Sequence, residues 1–232
     1  MKDLFAVLDA TWPAAALHRA GPWVVREGQG GGKRVSAATT FDDSADIGPA
    51  EAAQTALGQP ALFALRQGQD ALDHTLAQRG YTVIDPTVIY CADLGDLAAT
   101  TPERMTTFPI WPPLAIMAEI WADGDIGPAR QAVFARANGP KTAILGRSGD
   151  RAAAAAFVAI HEGTAMVHAL HVTPKLRRKG LARNMMRAAA CWAAEHHAKR
   201  LALAVTSANV AANSLYQSLG MNIDAQYHYR MK

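Results

Sequence analysis

Cysteine is scarce in this chain. The 232 residues contain only Cys91 and Cys191, far apart and with no ligand-type spacing near either, which argues against a disulfide scaffold and against a structural zinc site. Long apolar runs are missing as well. No stretch of about 18 apolar residues occurs, and Asp3 and Asp9 interrupt the opening MKDLFAVLDATWP where a signal peptide needs an unbroken apolar core. These absences predict a soluble, cytoplasmic chain with no membrane partner. Charge is also sparse, at 19% against 50% hydrophobic residues, a balance that excludes long disorder. The length allows one large domain or two small ones.

The net charge is only +3, but its distribution is uneven. Lys175, Arg177, Arg178, Lys179, Arg183 and Arg187 lie in one stretch that contains no acidic residue. Such a cluster can meet a polyanion, either nucleic acid or a phosphorylated cofactor. A single-strand binder needs aromatics among its basic residues. None occurs between Val172 and Ala190, so no nucleic-acid partner is expected. A second candidate, Gly28, Gly30, Gly31, Gly32 and Lys33, fails as a phosphate loop, because Glu27 stands where its first glycine belongs and Arg34 where Ser or Thr should be. It reads instead as the mobile turn of a hairpin over Trp23 to Thr39.

Comparison of the chain with itself reveals two similar segments, Leu62 to Tyr90 and the stretch beginning LALAV at Leu201. Each reads strand, polar loop, helix, glycine stop, strand. Gly80-Tyr81 aligns with Gly220-Met221, Gln69 with Asn209, and Leu76 with Tyr216. A hydrophilic joint at residues 99–103 separates the halves. Beyond it, helices are expected over Leu114 to Trp121 and Pro128 to Ala137, then strands TAILGR, AAAAAFVAIHEG and TAMVHALHV, and an amphipathic helix from Gly180 to about Ala198. Trp12, Trp23, Trp111 and Trp121 can line an acceptor cleft, although large aromatics more commonly fill the core.

The chemistry-bearing segment is Val172-Thr173-Pro174-Lys175-Leu176-Arg177-Arg178-Lys179-Gly180-Leu181-Ala182, a strand that runs through a basic turn into a helix. Unpaired N–H groups in a first helical turn bind pyrophosphate, and glycine permits close approach. These residues resemble the GNAT superfamily of N-acetyltransferases, whose pyrophosphate loop has Gln or Arg, two residues, Gly, one residue, Gly or Ala. Downstream, Asn209, Ala212, Leu215-Tyr216 and Leu219-Gly220-Met221 follow the family's Asn, Ala, Leu-Tyr, Leu-Gly-Phe order. The resemblance covers about residues 105–232.

The resemblance implies an α/β fold with a central mixed twisted sheet flanked by helices. Residues 105–232 would form the catalytic domain and residues 1–98 a shorter, degenerate GNAT-like lobe, as in tandem members. It further implies an acetyl-CoA-dependent transfer to a primary amine of a small molecule or peptide, by direct attack in a ternary complex and without a metal. Backbone groups of Leu170 and Val172 would hold the pantetheine arm, and the Leu170 amide would polarise the thioester carbonyl. Arg177, Arg178, Lys179, Gly180, Leu181, Ala182, Arg183 and Asn209 would bind the cofactor, and Tyr216 would protonate the leaving thiolate. A base must take the amine's proton. His168 is the expected one, because period-2 alternation puts it on the face of Leu170, whereas His171 should face the other way. A homodimer is compatible with this reading, and the alternative is a noncatalytic acyl-CoA-binding regulatory module.

Overall fold

The computed structural model describes residues 3–232. The chain order is α1 (Leu4–Thr11), β1 (Ala16–Ala20), β2 (Trp23–Glu27), α2 (Gly48–Ala56), β3 (Leu62–Arg66), α3 (Asp70–Gln78), β4 (Thr82–Asp93), α4 (Leu94–Ala99) and β5 (Thr107–Ile110). It continues with α5 (Ala115–Asp123), α6 (Pro128–Arg136), β6 (Lys141–Ser148), β7 (Arg151–His161), β8 (Thr164–Val172), α7 (Leu181–Glu195), β9 (Arg200–Thr206), α8 (Val210–Ser218) and β10 (Asn222–Met231). Eight strands form one mixed sheet in the order β3-β10-β4-β9-β8-β7-β6-β5, and β1 and β2 make a separate hairpin. Among the described residues no helix is long and apolar enough to cross a membrane.

The order of the sheet follows from the two similar segments. Helices α3 and α8 occupy Asp70–Gln78 and Val210–Ser218, a constant offset of 140 residues. Corresponding side chains do corresponding work: Phe63, Leu65, Leu72, Leu76 and Tyr81 form one core cluster, while Leu203, Val205, Ala212, Tyr216 and Met221 belong to another. Each unit's second strand crosses into the other. β10 inserts between β3 and β4, pairing Tyr227 with Arg66, and β4 inserts between β10 and β9, pairing Thr87 with Thr206. Subtracting 140 from the first pair's tyrosine and adding 140 to its arginine gives the second pair, so the exchange is reciprocal about a local twofold. The boundary expected at residues 99–104 therefore joins two lobes of one unbroken sheet.

Both faces of that sheet are covered. On one side α4, α7 and α8 pack over β4 and β7 to β9. On the other, α5 and α6 cover β6 and β7, and α1, capped by the Asp3 carboxylate accepting from the Phe5 amide at 2.9 Å, packs against β7 and β8 and shares a core with β3, β4, β9 and β10. The alanine run is strand, as expected against its helical propensity. Ala153 to Ala156 lie in β7 with at most 1% exposure, where small side chains let layers approach from both faces. The glycine-rich loop is packed rather than mobile. An added Cβ at Gly31 would stand 2.7 Å from Val35 and 2.8 Å from Val133. Nor does the second run complete the expected hairpin: β2 pairs with β1, and the later segment contributes only the isolated bridges Val24–Thr39 and Ala38–Phe63.

Candidate active site

Strands β8 and β9 are parallel neighbours only from Thr164/Arg200 to Val167/Leu203. Beyond that point β9 pairs only with β4 and β8 only with β7, so the facing edges part. A bulge in β8 accompanies the parting, with Ala169 at φ 52 and neither Ala169 nor Leu170 in register with β7. The Leu170 backbone thus faces a gap without a ladder partner.

The basic turn closes this gap. Gly180 caps α7 in the left-handed conformation, φ 79, with no side-chain cap on the helix, so the first-turn amides have no intrahelical acceptor. No atom stands within 4 Å of where a Gly180 Cβ would be, so the approach to those amides is open. The cleft, about 620 Å³, is lined by Leu170, Val172, Arg177, Arg178, Gly180, Leu181, Ala182, Arg183, Asn209 and Tyr216. All were expected at the cofactor or catalytic site. Lys179 does not line it. Arg177 donates through Nε to the Val172 carbonyl at 2.9 Å, so that carbonyl is already occupied by the protein. Arg183 bridges the cleft to Ser218 Oγ at 2.9 Å, and Asn209 caps α8 by accepting from the Ala212 amide at 3.2 Å. Leu176, Ser214 and Ser218 also line it, and only their position after folding could reveal this.

Tyr216 is 7% exposed and packs at 5.7 Å against the Tyr90 ring contributed by the first segment. Burial pushes its phenol up to about 12, so it keeps its proton at neutral pH.

His168 is not placed as the alternation suggests. The bulge changes the side-chain order, so that His168 contacts Trp12 and Phe157 on the α5 face while Leu170 packs with the α7 face. It is 3% exposed, and both ring nitrogens are engaged. Arg34 Nη1 donates to Nδ1 at 3.3 Å, which fixes the other nitrogen as the donor to Thr11 Oγ1 at 2.8 Å. The Thr11 hydroxyl passes its own hydrogen to the Val7 carbonyl at 2.7 Å. Burial first, and the Arg34 charge second, hold the imidazole well below the usual histidine range. The lone pair of the neutral imidazole thus points at the Arg34 guanidinium rather than into the cleft.

The imidazole that does line the cleft is His171. Its Nε2 lies 3.5 Å from Asp123 Oδ2, and its Nδ1 lies against Gly124, where a Cβ would stand only 2.3 Å away. The bulge puts it on the same face as His168, opposite to the expected orientation.

Residues 105–221 match the family described as Acetyltransferase (GNAT) family. Over 236 aligned positions the chain is 26% identical to the uncharacterized N-acetyltransferase YobR of Bacillus subtilis (strain 168), covering 96% of this chain and 95% of that one. The fold is similar to a GCN5-related N-acetyltransferase from Kribbella flavida, with a TM-score of 0.72, 20% identity and coverage of 100% and 96%. It is also similar to a functionally unknown conserved protein from Staphylococcus epidermidis ATCC 12228, with a TM-score of 0.75, 8% identity and coverage of 100% and 98%.

Proposed function

Since the chain belongs to the acetyltransferase (GNAT) family, and is thereby an acyltransferase using an acyl-CoA donor, we propose that it acetylates a primary amine by direct attack in a ternary complex. The observation that carries this reading is the coincidence, in one cleft, of the parted β8–β9 edges, the uncapped N-terminus of α7 and the Tyr216 phenol. The first-turn amides of α7, with Arg178 and Arg183, hold the pyrophosphate. Acetyl-CoA, when bound, supplies the thioester whose carbonyl carbon the amine attacks. The Leu170 amide meets the developing oxyanion, because an N–H fixed in a dry gap needs no reorganisation.

Proton traffic is assigned to two side chains. His171, whose Nε2 lies 3.5 Å from Asp123, takes a proton from the protonated acceptor, so that the neutral amine attacks the thioester carbonyl. Tyr216 gives its proton to the departing thiolate. Residues 105–232 supply the cofactor site, and residues 1–98 supply β4, the Tyr90 support for Tyr216, and the wall of the acceptor face. Leu76 stands where the second segment has Tyr216, and no basic loop precedes β3, so one acetyl-CoA is expected per chain.

Calorimetry with acetyl-CoA, followed by thiol release across an amine panel, tests the proposal. Binding at one equivalent with amine-dependent release supports it. Saturable binding without release for any amine would leave an acyl-CoA-binding module in its place.

A further inference from the structure

A second cavity lies on the opposite face of the sheet from the cofactor cleft. It is small, about 30 Å³, and its walls include Asp9, Arg26, Arg34, Arg66, Tyr227 and Tyr229. Three arginines thus meet one aspartate. Arg26 is satisfied: Asp9 pairs with it at 2.7 Å, and it also donates to the Ala37 carbonyl at 3.1 Å and to Thr39 Oγ1 at 2.8 Å. Arg66 lies 4.0 Å from Asp3 and 4.1 Å above the Phe5 ring.

Arg34 has no such partner. It donates to the neutral His168 and lies within hydrogen-bond reach of the Tyr227 and Tyr229 hydroxyls, but its Nε is buried with nothing to donate to, and among the described residues no carboxylate pairs with it. The nearby Arg130 adds like charge, while the neighbouring Lys33 and Asp85 are spent on each other at 2.8 Å. A buried guanidinium without a carboxylate counter-ion costs several kcal/mol of desolvation, against which this site sets only neutral hydroxyls and an imidazole. Tyr227 and Tyr229 flank it, offering hydroxyls that can donate to the same anion. The volume has room for the oxygens of one small oxyanion, since a single water needs on the order of 10–15 Å³, and is too small for a whole acceptor molecule.

We propose that this cavity holds the carboxylate of an amino-acid-like acceptor, with Arg34 as its counter-ion and the tyrosine hydroxyls as further donors. Arg34 spans from the cavity to His168, two residues before Leu170 in β8, so an acceptor anchored there extends toward the parted edges. His168 becomes a positioning residue: its Nδ1 lone pair holds the guanidinium in place, and its depressed basicity keeps that lone pair free of a competing proton. The proposal rests on the acetyltransferase reading for its kinetic arm and is independent of it for its binding arm.

The kinetic arm compares thiol release with glycine, β-alanine and 4-aminobutyrate and a panel of larger amino acids against their decarboxylated amines. The carboxylate-bearing members should be used about 10- to 100-fold better in kcat/KM, as one charge-assisted contact implies. Arg34→Gln should erase that preference through KM, with the acetyl-CoA Kd unchanged and Arg34→Lys recovering part of it. Equal use of both series, or a preference that survives in Arg34→Gln, overturns the proposal. The binding arm uses acetate alone: it should raise the melting temperature of the wild type and of Arg34→Lys at constant ionic strength, but not that of Arg34→Gln. An acetate response equal in wild type and Arg34→Gln overturns the anion site even if no amine is turned over. Loss of acetyl-CoA binding counts against the acetyltransferase reading alone.

Discussion

Tyr216 and His168 are both buried and both shifted away from their charged forms, with different consequences. For Tyr216, a phenol that stays protonated is what a leaving-group acid requires. Tyr216→Phe keeps the ring contact with Tyr90 but removes the proton, and should lower kcat about 10- to 1000-fold while leaving the acetyl-CoA Kd nearly unchanged. For His168 the consequence is in stability. Its folded pKa lies below the unfolded value, so the unfolded state binds the extra proton, and the stability present above about pH 6.5 is lost as pH falls through that range. The melting temperature should therefore drop between pH 7.5 and 5, and His168→Gln should flatten that dependence. Equal slopes would show that His168 is not responsible. His171 is tested directly: in His171→Gln turnover near neutral pH should fall at least tenfold, recovering partly at higher pH as more amine is already neutral.

The elements differ in how far the sequence announced them. α7 was legible because Leu181, Met185, Ala188 and Trp192 recur at helical spacing and all are buried. β7 was legible despite its alanines, through the Phe-Val-Ala-Ile run that follows them. α1, α4 and β5 were not. Each is short, and packing against the sheet decides such elements more than their own periodicity. The basic loop before α7 was readable because its charge and glycine lie in consecutive residues. The facing of the two histidines was not, because a one-residue bulge at Ala169 inverts every side chain after it, and nothing local in Val167-His168-Ala169-Leu170 marks the bulge. The glycine-rich loop misled for a similar reason: its glycines serve close packing rather than mobility. Gly31→Ala should accordingly cost about 1–3 kcal/mol in denaturant unfolding, whereas a mobile turn would tolerate it. At the mouth of α7, Gly180→Asp brings a side chain and a negative charge to the uncapped amides, and should weaken acetyl-CoA binding at least tenfold with the circular dichroism spectrum retained.

At the scale of the molecule, the reciprocal exchange of β4 and β10 sets how the chain can come apart and how it can be made. About 130 residues separate the two strands along the chain, and such non-local pairing is slow to form. During synthesis, β3 and β4 therefore emerge with an empty slot between them. They must wait for residues 222–231 while presenting two unpaired edges to the cell, the condition in which strands join the wrong neighbour. A second copy can fill that slot with its own β10 where its concentration rivals the effective concentration of the tethered strand. Crowded synthesis at high temperature should thus yield interlocked pairs, each lending the other a strand, and the same two active clefts would be rebuilt across two chains.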